Sequence, residues 1–150
     1  MWILIFLVFL VLGILSLRGK RWAYITYIVL GLLFFPIRVG FHLNPHPCEL
    51  AINLPLALFS LTNYGHIVLL AIFFLMTSAQ LRMSNWQAFA WAALATIVMG
   101  ILVELAEAVT GKGHCRLRDL VPDTAGALLG AIIILVWQWV RHRRKKSMVS

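Results

Sequence analysis

The chain has 150 residues, of which 62% are apolar and 12% charged, and its formal net charge is +8. Soluble domains carry roughly 25% charged residues, and a chain this short cannot bury so many apolar side chains in one water-facing fold. The composition therefore excludes a soluble enzyme, a secreted disulfide scaffold and a disordered tail. It predicts an all-α integral membrane protein, folded as a polytopic bundle of transmembrane helices.

Five apolar runs are long enough, or nearly so, to span a bilayer as helices. They cover residues 2–17, 22–39, 64–81, 86–109 and 120–140. The first run lacks a basic region ahead of it and a small-residue cleavage site before Arg18, which favours a membrane helix over a signal peptide. Residues 40–48 are typical of a loop. The next apolar stretch, 50–61, contains Asn53 and Pro55 and reaches about 18 Å as a helix, so we expect it to be re-entrant or interfacial.

Positive charge predicts the orientation, because Lys and Arg concentrate in short cytoplasmic loops. Five spans place nine basic residues on the side of the C-terminus: Arg18, Lys20, Arg21, Arg82, Arg141, Arg143, Arg144, Lys145 and Lys146. The remaining four, on the opposite side, are Arg38, Lys112, Arg116 and Arg118. We therefore expect the N-terminus outside and residues 141–150 as a basic cytoplasmic tail. Such a tail is typical of an anchor on anionic lipid, and no nucleic-acid partner is expected.

The acidic residues all fall on the predicted outer side or in the outer half of the membrane. They are Glu49, Glu104, Glu107, Asp119 and Asp123. Glu104 lies deep in its span, where an ionisable group is a candidate functional residue. It would either hold a proton or pair with Arg116 or Arg118, and the alternative is a structural contact between helices. We predict an outward-facing polar pocket that binds its ligand through His66, Glu104, Glu107, Arg116, Arg118, Asp119 and Asp123.

The last span carries a stripe of carboxylates and glycines on one helical face. Asp119, Asp123, Gly126 and Gly130 fall at positions i, i+4, i+7 and i+11. Asp119 is either an N-cap of this helix or a site residue. Gly126 and Gly130 form a small-residue surface that lets another helix approach closely, within the chain or in a homo-oligomer.

The two cysteines, Cys48 and Cys115, lie in predicted outer loops, where an oxidising environment favours a disulfide. A zinc site formed with His46 and His114 and two free thiols are the alternatives. The spacing of these four residues matches no standard zinc pattern, so we expect no metal and no cofactor.

Two stretches of the second half resemble the VanZ-like family of small polytopic membrane proteins. The first is residues 63–69, where His66 opens an apolar helix. The second combines residues 100–107 with 116–130, which resemble the family's Glu-bearing helix, Arg- and Asp-bearing loop and glycine-striped last helix. Glu107 and Asp123 stand where the family usually has Gln and Asn. The resemblance implies a bacterial cell-envelope protein of the cytoplasmic (inner) membrane with a role in resistance to the glycopeptide teicoplanin.

Together these features favour a non-enzymatic protein that binds a membrane lipid or lipid-linked precursor. Arg116 and Arg118 would hold its anionic head group. The first alternative is an intramembrane hydrolase or transferase, with Glu104 or Asp119 as general base and His66 as acid partner. No serine elbow, HExxH motif or phosphate loop supports it. A proton-coupled transporter or an accessory subunit is the second alternative.

Overall fold

The fold was obtained as a computed structural model, which describes the backbone of residues 2–39, 43–81, 86–111 and 115–147. Side chains are described at 3–33, 43–81, 86–111 and 115–144. The following positions used in the sequence analysis lie outside the described residues: 40–42, Arg82, Lys112 and His114.

The described chain is all-α, as predicted from its composition. Its helices are α1 (Trp2–Leu17), α2 (Arg21–Val39), α3 (Leu54–Ser60), α4 (Tyr64–Gln80), α5 (Trp86–Thr110) and α6 (Leu120–Ser147). A short 3-10 helix, Leu117–Asp119, precedes α6. The basic residues after 140, predicted as a separate tail, continue α6 up to Ser147. Most boundaries fall within a residue of the predicted runs, because each run is bounded by a loop of polar or turn-forming residues.

Within the part of the chain that the structure describes, fewer helices qualify as membrane spans than the five predicted. By length and composition, Trp86–Thr110 and Leu117–Arg144 can each cross a membrane. The pair Leu54–Ser60 and Tyr64–Gln80, bent by 69°, adds a third if it acts as one broken span. The first helix has 16 residues and reaches about 24 Å, short of a hydrocarbon core near 30 Å.

The stretch predicted to be re-entrant or interfacial forms a helix over half its length. In α3, the Asn53 side chain caps the N-terminus by accepting the amide of Leu56 at 2.9 Å. Pro55 stands in the first turn, where its missing N–H has no cost. The sharp bend before α4 keeps this short helix at one end of the bundle.

Helix α4 is the centre of the bundle and packs on α1, α2, α5 and α6. Its largest interface is with α6, where Gly126 faces Ile67 and Gly130 faces Phe74. The glycine stripe therefore serves packing within the chain, and a homodimer through the same face would have to displace α4. Many large apolar side chains point away from this core, such as Trp137 at 68% exposure. A surface of this kind suits contact with lipid.

Two ends of the bundle can be told apart. At the hairpin end, Gly19 turns the chain between α1 and α2 at a φ of 78°, and Gln80 donates to the Ser16 carbonyl at 2.8 Å. At the opposite end, which we call the loop end, residues 43–53 lie beside the connection from α5 to α6. Since α6 begins at the loop end and has 28 residues, its basic C-terminal part lies about 42 Å away along the helix axis.

Replacing Gly126 with alanine is expected to destabilise the bundle. The added Cβ would lie 2.7 Å from the Ile67 carbonyl oxygen, so α4 and α6 must move apart, at a cost of about 1–3 kcal/mol. Gly13→Ala is the matched control, because its Cβ meets no atom closer than 4.0 Å. Unfolding of both variants in detergent, followed by circular dichroism, tests this. Equal stability of the two variants would contradict close packing at Gly126.

Candidate functional site

A disulfide between Cys48 and Cys115 fixes the loop end. Their Cα atoms lie 4.7 Å apart, and the bridge joins the segment before α3 to the segment before α6. The backbones pair beside it: Glu49 N–H donates to the Cys115 carbonyl at 2.9 Å, and Leu117 N–H donates to the Glu49 carbonyl at 3.0 Å. Of the alternatives left open by the sequence, the structure contains the disulfide. Both sulfurs are used, and no metal-binding cluster is found among the described His, Cys, Asp and Glu residues.

The segment that contains Cys48, residues 43–53, also caps the C-terminus of α5. Asn44 N–H donates to the Val109 carbonyl at 3.1 Å, and His46 N–H donates to the Ala108 carbonyl at 2.9 Å. These carbonyls belong to the last helical turn and have no partner within the helix. The cap leaves little room, since a Cβ at Gly111, whose φ is +61°, would collide with the Asn44 carbonyl oxygen. The loop and the end of α5 therefore form one packed unit.

Both candidate anion-binding arginines are held by a carboxylate that was not among the predicted site residues. Arg116 Nε lies 3.3 Å from Glu49 Oε2, and Arg118 Nη1 lies 3.2 Å from Glu49 Oε1. Of the two alternatives given for Glu104, a retained proton or an ion pair with Arg116 or Arg118, the ion pair is not found among the described residues. The signal that could have identified Glu49 is its place next to Cys48, because a disulfide to Cys115 brings Glu49 beside Arg116.

Glu104 is buried, with 6% of its surface exposed, and is bound by a backbone group instead. Its Oε2 accepts the Arg116 amide N–H at 2.7 Å. Its Oε1 has no hydrogen-bond partner in the described part of the chain. Glu104 therefore connects α5 to the disulfide-bonded segment rather than to another helix.

His66 pairs with Asp123, joining α4 to α6. His66 Nδ1 and Asp123 Oδ1 are 2.9 Å apart, and 1% of Asp123 is exposed. Because a carboxylate only accepts, Nδ1 carries the proton of this bond. The partners proposed for His66 from sequence, Glu104 and Asp119, lie within electrostatic range of its ring, but Asp123 makes the direct contact. Positions 66, 70 and 74 of α4 face positions 123, 126 and 130 of α6. Aligning these two helical faces in the sequence could have predicted the contact between His66 and Asp123.

Gly100 on α5 makes the burial of Asp123 possible. A Cβ at this position would overlap Asp123 Oδ2, so any larger residue would push the carboxylate away. Asp123 Oδ2 has no hydrogen-bond partner among the described residues. In the described part of the chain, the Asp123 carboxylate therefore has one oxygen that accepts a hydrogen bond, from His66, and one that accepts none.

Asp119 lies in the 3-10 helix before α6, and its N–H donates to the Arg116 carbonyl at 2.9 Å. Within the described ranges its side chain makes no hydrogen bond to an amide of α6, so the predicted capping bond is not formed. Asp119 and Asp123, predicted to act in one site, lie in different surroundings.

A cavity of about 600 Å³ opens between the helices beside the His66–Asp123 pair. Apolar side chains form nearly all of its wall, among them Leu70, Phe73 and Val103, and Gly31 contributes from α2. A smaller cleft of about 330 Å³ at the loop end is lined by His46, Pro47, Glu49, Glu107, Ala108, Gly111, Cys115 and Arg116.

The predicted polar pocket is therefore divided in two. His66 and Asp123 lie at the large cavity, whose wall is apolar rather than polar. Glu107 and Arg116 lie at the small cleft. Glu104, Arg118 and Asp119 line neither of these two spaces.

Comparisons with protein families, with curated proteins and with solved structures find no match to this chain. The resemblance to the VanZ-like family rests on the residues that carry it and stays a prediction.

Proposed function

We propose that the chain is a lipid-binding integral membrane protein of the cell envelope, with the chain of a membrane lipid or lipid-linked precursor in the large cavity. The observation that carries this proposal is an apolar cavity of about 600 Å³ with the His66–Asp123 hydrogen bond at its wall. Its volume falls in the range of about 300–1,000 Å³ typical of small-molecule sites, and its few polar groups can orient a ligand. Among ligands available inside a membrane, a lipid chain matches this wall best.

The proposed topology has five spans, with the N-terminus outside and the C-terminus in the cytoplasm. The short helices α1 and α2 form a hairpin packed on α4, so they would cross beside it with some local thinning of the bilayer. Two observations favour this orientation. Disulfides persist on the oxidising side of a membrane, which favours an outer position for the Cys48–Cys115 bridge. The basic end of α6 lies at the other end of that helix, where positive residues favour the cytoplasm.

A reporter fused to the C-terminus tests this orientation in a bacterial host. Green fluorescent protein at this position is expected to fluoresce, and alkaline phosphatase is expected to be inactive, because each folds on one side of the membrane. The same two reporters fused to the N-terminus should give the opposite result. Active phosphatase at the C-terminus would overturn the proposed orientation.

Filling the cavity tests lipid binding. Gly31→Phe would place a ring in the cavity, since the nearest atom to a Cβ at Gly31 is Phe9 Cε1 at 4.0 Å. We expect the purified variant to carry less tightly bound lipid per chain than the wild type, by several-fold, as measured by extraction and mass spectrometry. Gly31→Ala is the matched control and should retain the lipid. Equal lipid content in all three proteins would contradict binding in the cavity.

A role in teicoplanin resistance, implied by the resemblance to the VanZ-like family, is part of this proposal. If the lipid in the cavity affects what the antibiotic meets at the surface, cells that express the chain should tolerate more teicoplanin. Gly31→Phe should remove that tolerance and Gly31→Ala should keep it.

The sequence also predicts that Arg116 and Arg118 bind an anionic lipid head group. Such a head group would have to compete with Glu49 for these two side chains.

A second candidate function is an intramembrane hydrolase or transferase acting on a lipid. One observation favours it: a histidine oriented by a buried carboxylate is the arrangement of a general base and its orienting group. Asp123 takes the place that Glu104 or Asp119 had in the sequence-based version. Release of a product from labelled phospholipid or polyprenyl lipid by the wild type, lost in His66→Gln, would favour this candidate over binding alone.

A further inference from the structure

Four exposed tryptophans lie near one level at the hairpin end of the bundle. They are Trp22, Trp86, Trp137 and Trp139. Helix α5 ends and α6 begins at the loop end, so these two helices run antiparallel. Phe89 of α5 and Ile134 of α6 pack on one core cluster. Three residues closer to the hairpin end on each helix are Trp86 and Trp137, which therefore lie at the same height.

The turn between α1 and α2 lies at this height as well. Phe74 of α4 faces Gly130 of α6, and these two helices both run from the loop end toward the hairpin end. Six residues after Phe74, Gln80 donates to the Ser16 carbonyl at the end of α1. Six residues after Gly130 along α6 is the position just before Trp137. The start of α2, with its tryptophan, therefore belongs to the same level.

Exposed basic side chains lie at this level and beyond it. They are Arg18, Lys20, Arg21, Arg141, Arg143 and Arg144. All 5 acidic residues of the chain lie toward the loop end. On α6 the closest of them to Trp137 is Asp123, about 21 Å away along the helix axis. Exposed charges farther apart than the Debye length of about 8 Å are largely screened, so no carboxylate side chain neutralises these basic groups.

The last turns of α6 present a guanidinium group that is already oriented. Arg143 Cζ lies over the Trp139 ring, 4.2 Å from its centroid. This contact uses the face of the guanidinium group and leaves its N–H edge able to hold phosphate oxygens. Tryptophan rings favour the boundary between hydrocarbon and head groups. Arg141 lies about 6 Å farther out than Trp137, within a head-group layer that is roughly 5–7 Å thick.

We propose that the hairpin end binds anionic phospholipid head groups on the outer surface of the bundle. The exposed tryptophans lie at the edge of the hydrocarbon core, and the arginines of α6 bind the phosphates. An acidic protein or a nucleic acid would match the positive charge but would leave apolar rings on three helices uncovered. This surface is separate from the large cavity, so the inference does not depend on what the cavity binds.

The chain's own tryptophans provide the measurement, because five of the six lie toward the hairpin end and only Trp2 begins α1 at the opposite end. The full-length chain is reconstituted in bilayers of dioleoylphosphatidylcholine that contain dibrominated phosphatidylglycerol or dibrominated phosphatidylcholine. Bromine quenches tryptophan fluorescence on contact, so the two quenching curves give the relative affinity of the two lipids. We expect phosphatidylglycerol to bind about fivefold more tightly at low salt, and this preference to fall toward one in about 1 M salt. Equal affinities at low salt would overturn the proposal.

Two triple variants locate the effect on α6. Replacing Arg141, Arg143 and Arg144 with glutamine should at least halve the preference for phosphatidylglycerol. Replacing the same three with lysine keeps the charge and should keep most of the preference. All three side chains are exposed, so helix content should match the wild type in both variants. An unchanged preference in the glutamine variant would overturn the assignment to α6.

Gly31→Phe separates this inference from lipid binding in the cavity. It fills the cavity and leaves the hairpin end untouched, so the preference for phosphatidylglycerol at the tryptophans should persist. Loss of that preference in Gly31→Phe would show that the quenching reports the cavity, and would overturn the proposed surface.

Discussion

Replacing His66 with leucine is expected to lower the free energy of unfolding by about 3–5 kcal/mol, because the buried Asp123 carboxylate would be left without its partner. The effect is large because Asp123 has 1% of its surface exposed and would lose its hydrogen-bond partner at 2.9 Å. The carboxylate would then be left in an apolar interior, or would have to take up a proton there. Titration with sodium dodecyl sulfate in mixed micelles, with helix content as the readout, measures the change.

The control for this prediction is His46→Leu. His46 is exposed at the loop end, and its Nδ1 contacts the Asn44 carbonyl in its own loop at 2.7 Å. Since no buried charge depends on it, we expect a change within about 0.5 kcal/mol, as for most surface substitutions. A similar loss in both variants would mean that the His66–Asp123 pair has no special role in stability.

The double variant His66→Leu/Asp123→Leu tests whether the loss in His66→Leu comes from the unpaired Asp123 carboxylate. Leucine has the branching pattern of aspartate, so the double variant replaces the buried carboxylate and its half-buried partner with apolar side chains. Such replacements are often neutral or stabilising, and we expect most of the lost stability to return. Failure of the second substitution to restore stability would show that the loss in His66→Leu comes from poor packing rather than from the unpaired carboxylate.

Most of the fold could be predicted because the apolar runs of this chain are separated by clear breaks. Pro55, with Asn53 as cap, sets the start of α3, and the polar connection before Leu117 sets the start of α6. The number of spans was harder to predict. Apolar composition marks a helix, but the first run is long enough for a helix and too short to meet the length of a span without local thinning.

The sequence predicted several residues of the candidate site but not which of them contact each other. His66 and Asp123 were both among the expected ligands, yet their contact depends on the register between α4 and α6, which no single run contains. Glu49 was missed because it lies in a loop, far along the sequence from both of its arginines. Long-range partners of this kind are set by the disulfide and by helix packing rather than by local spacing.

Removing the disulfide is the second change expected to have a large effect. Cys48 and Cys115 are 67 residues apart in the sequence, and the entropy of closing a loop of this length corresponds to about 4 kcal/mol for a fully unfolded chain. In detergent the unfolded state keeps helices, so we expect about 2–4 kcal/mol for the double variant Cys48→Ser/Cys115→Ser. Titration with sodium dodecyl sulfate measures the loss. Dithiothreitol should destabilise the wild type to the same degree and leave the double variant unchanged.

We expect the loss of the disulfide to destabilise mainly the loop end, where the bridge fixes residues 43–53. Without it, the amides of Asn44 and His46, which cap Val109 and Ala108, should exchange with deuterium faster, while exchange in the α4–α6 interface at Gly126 stays slow. Leu43, at the start of the same segment, lines the large cavity, so a loosened loop should also speed the release of bound lipid. Unchanged exchange at Asn44 and His46 would show that the Glu49–Arg116 pairing holds the loop by itself. In that case the bridge would add stability through the unfolded state alone.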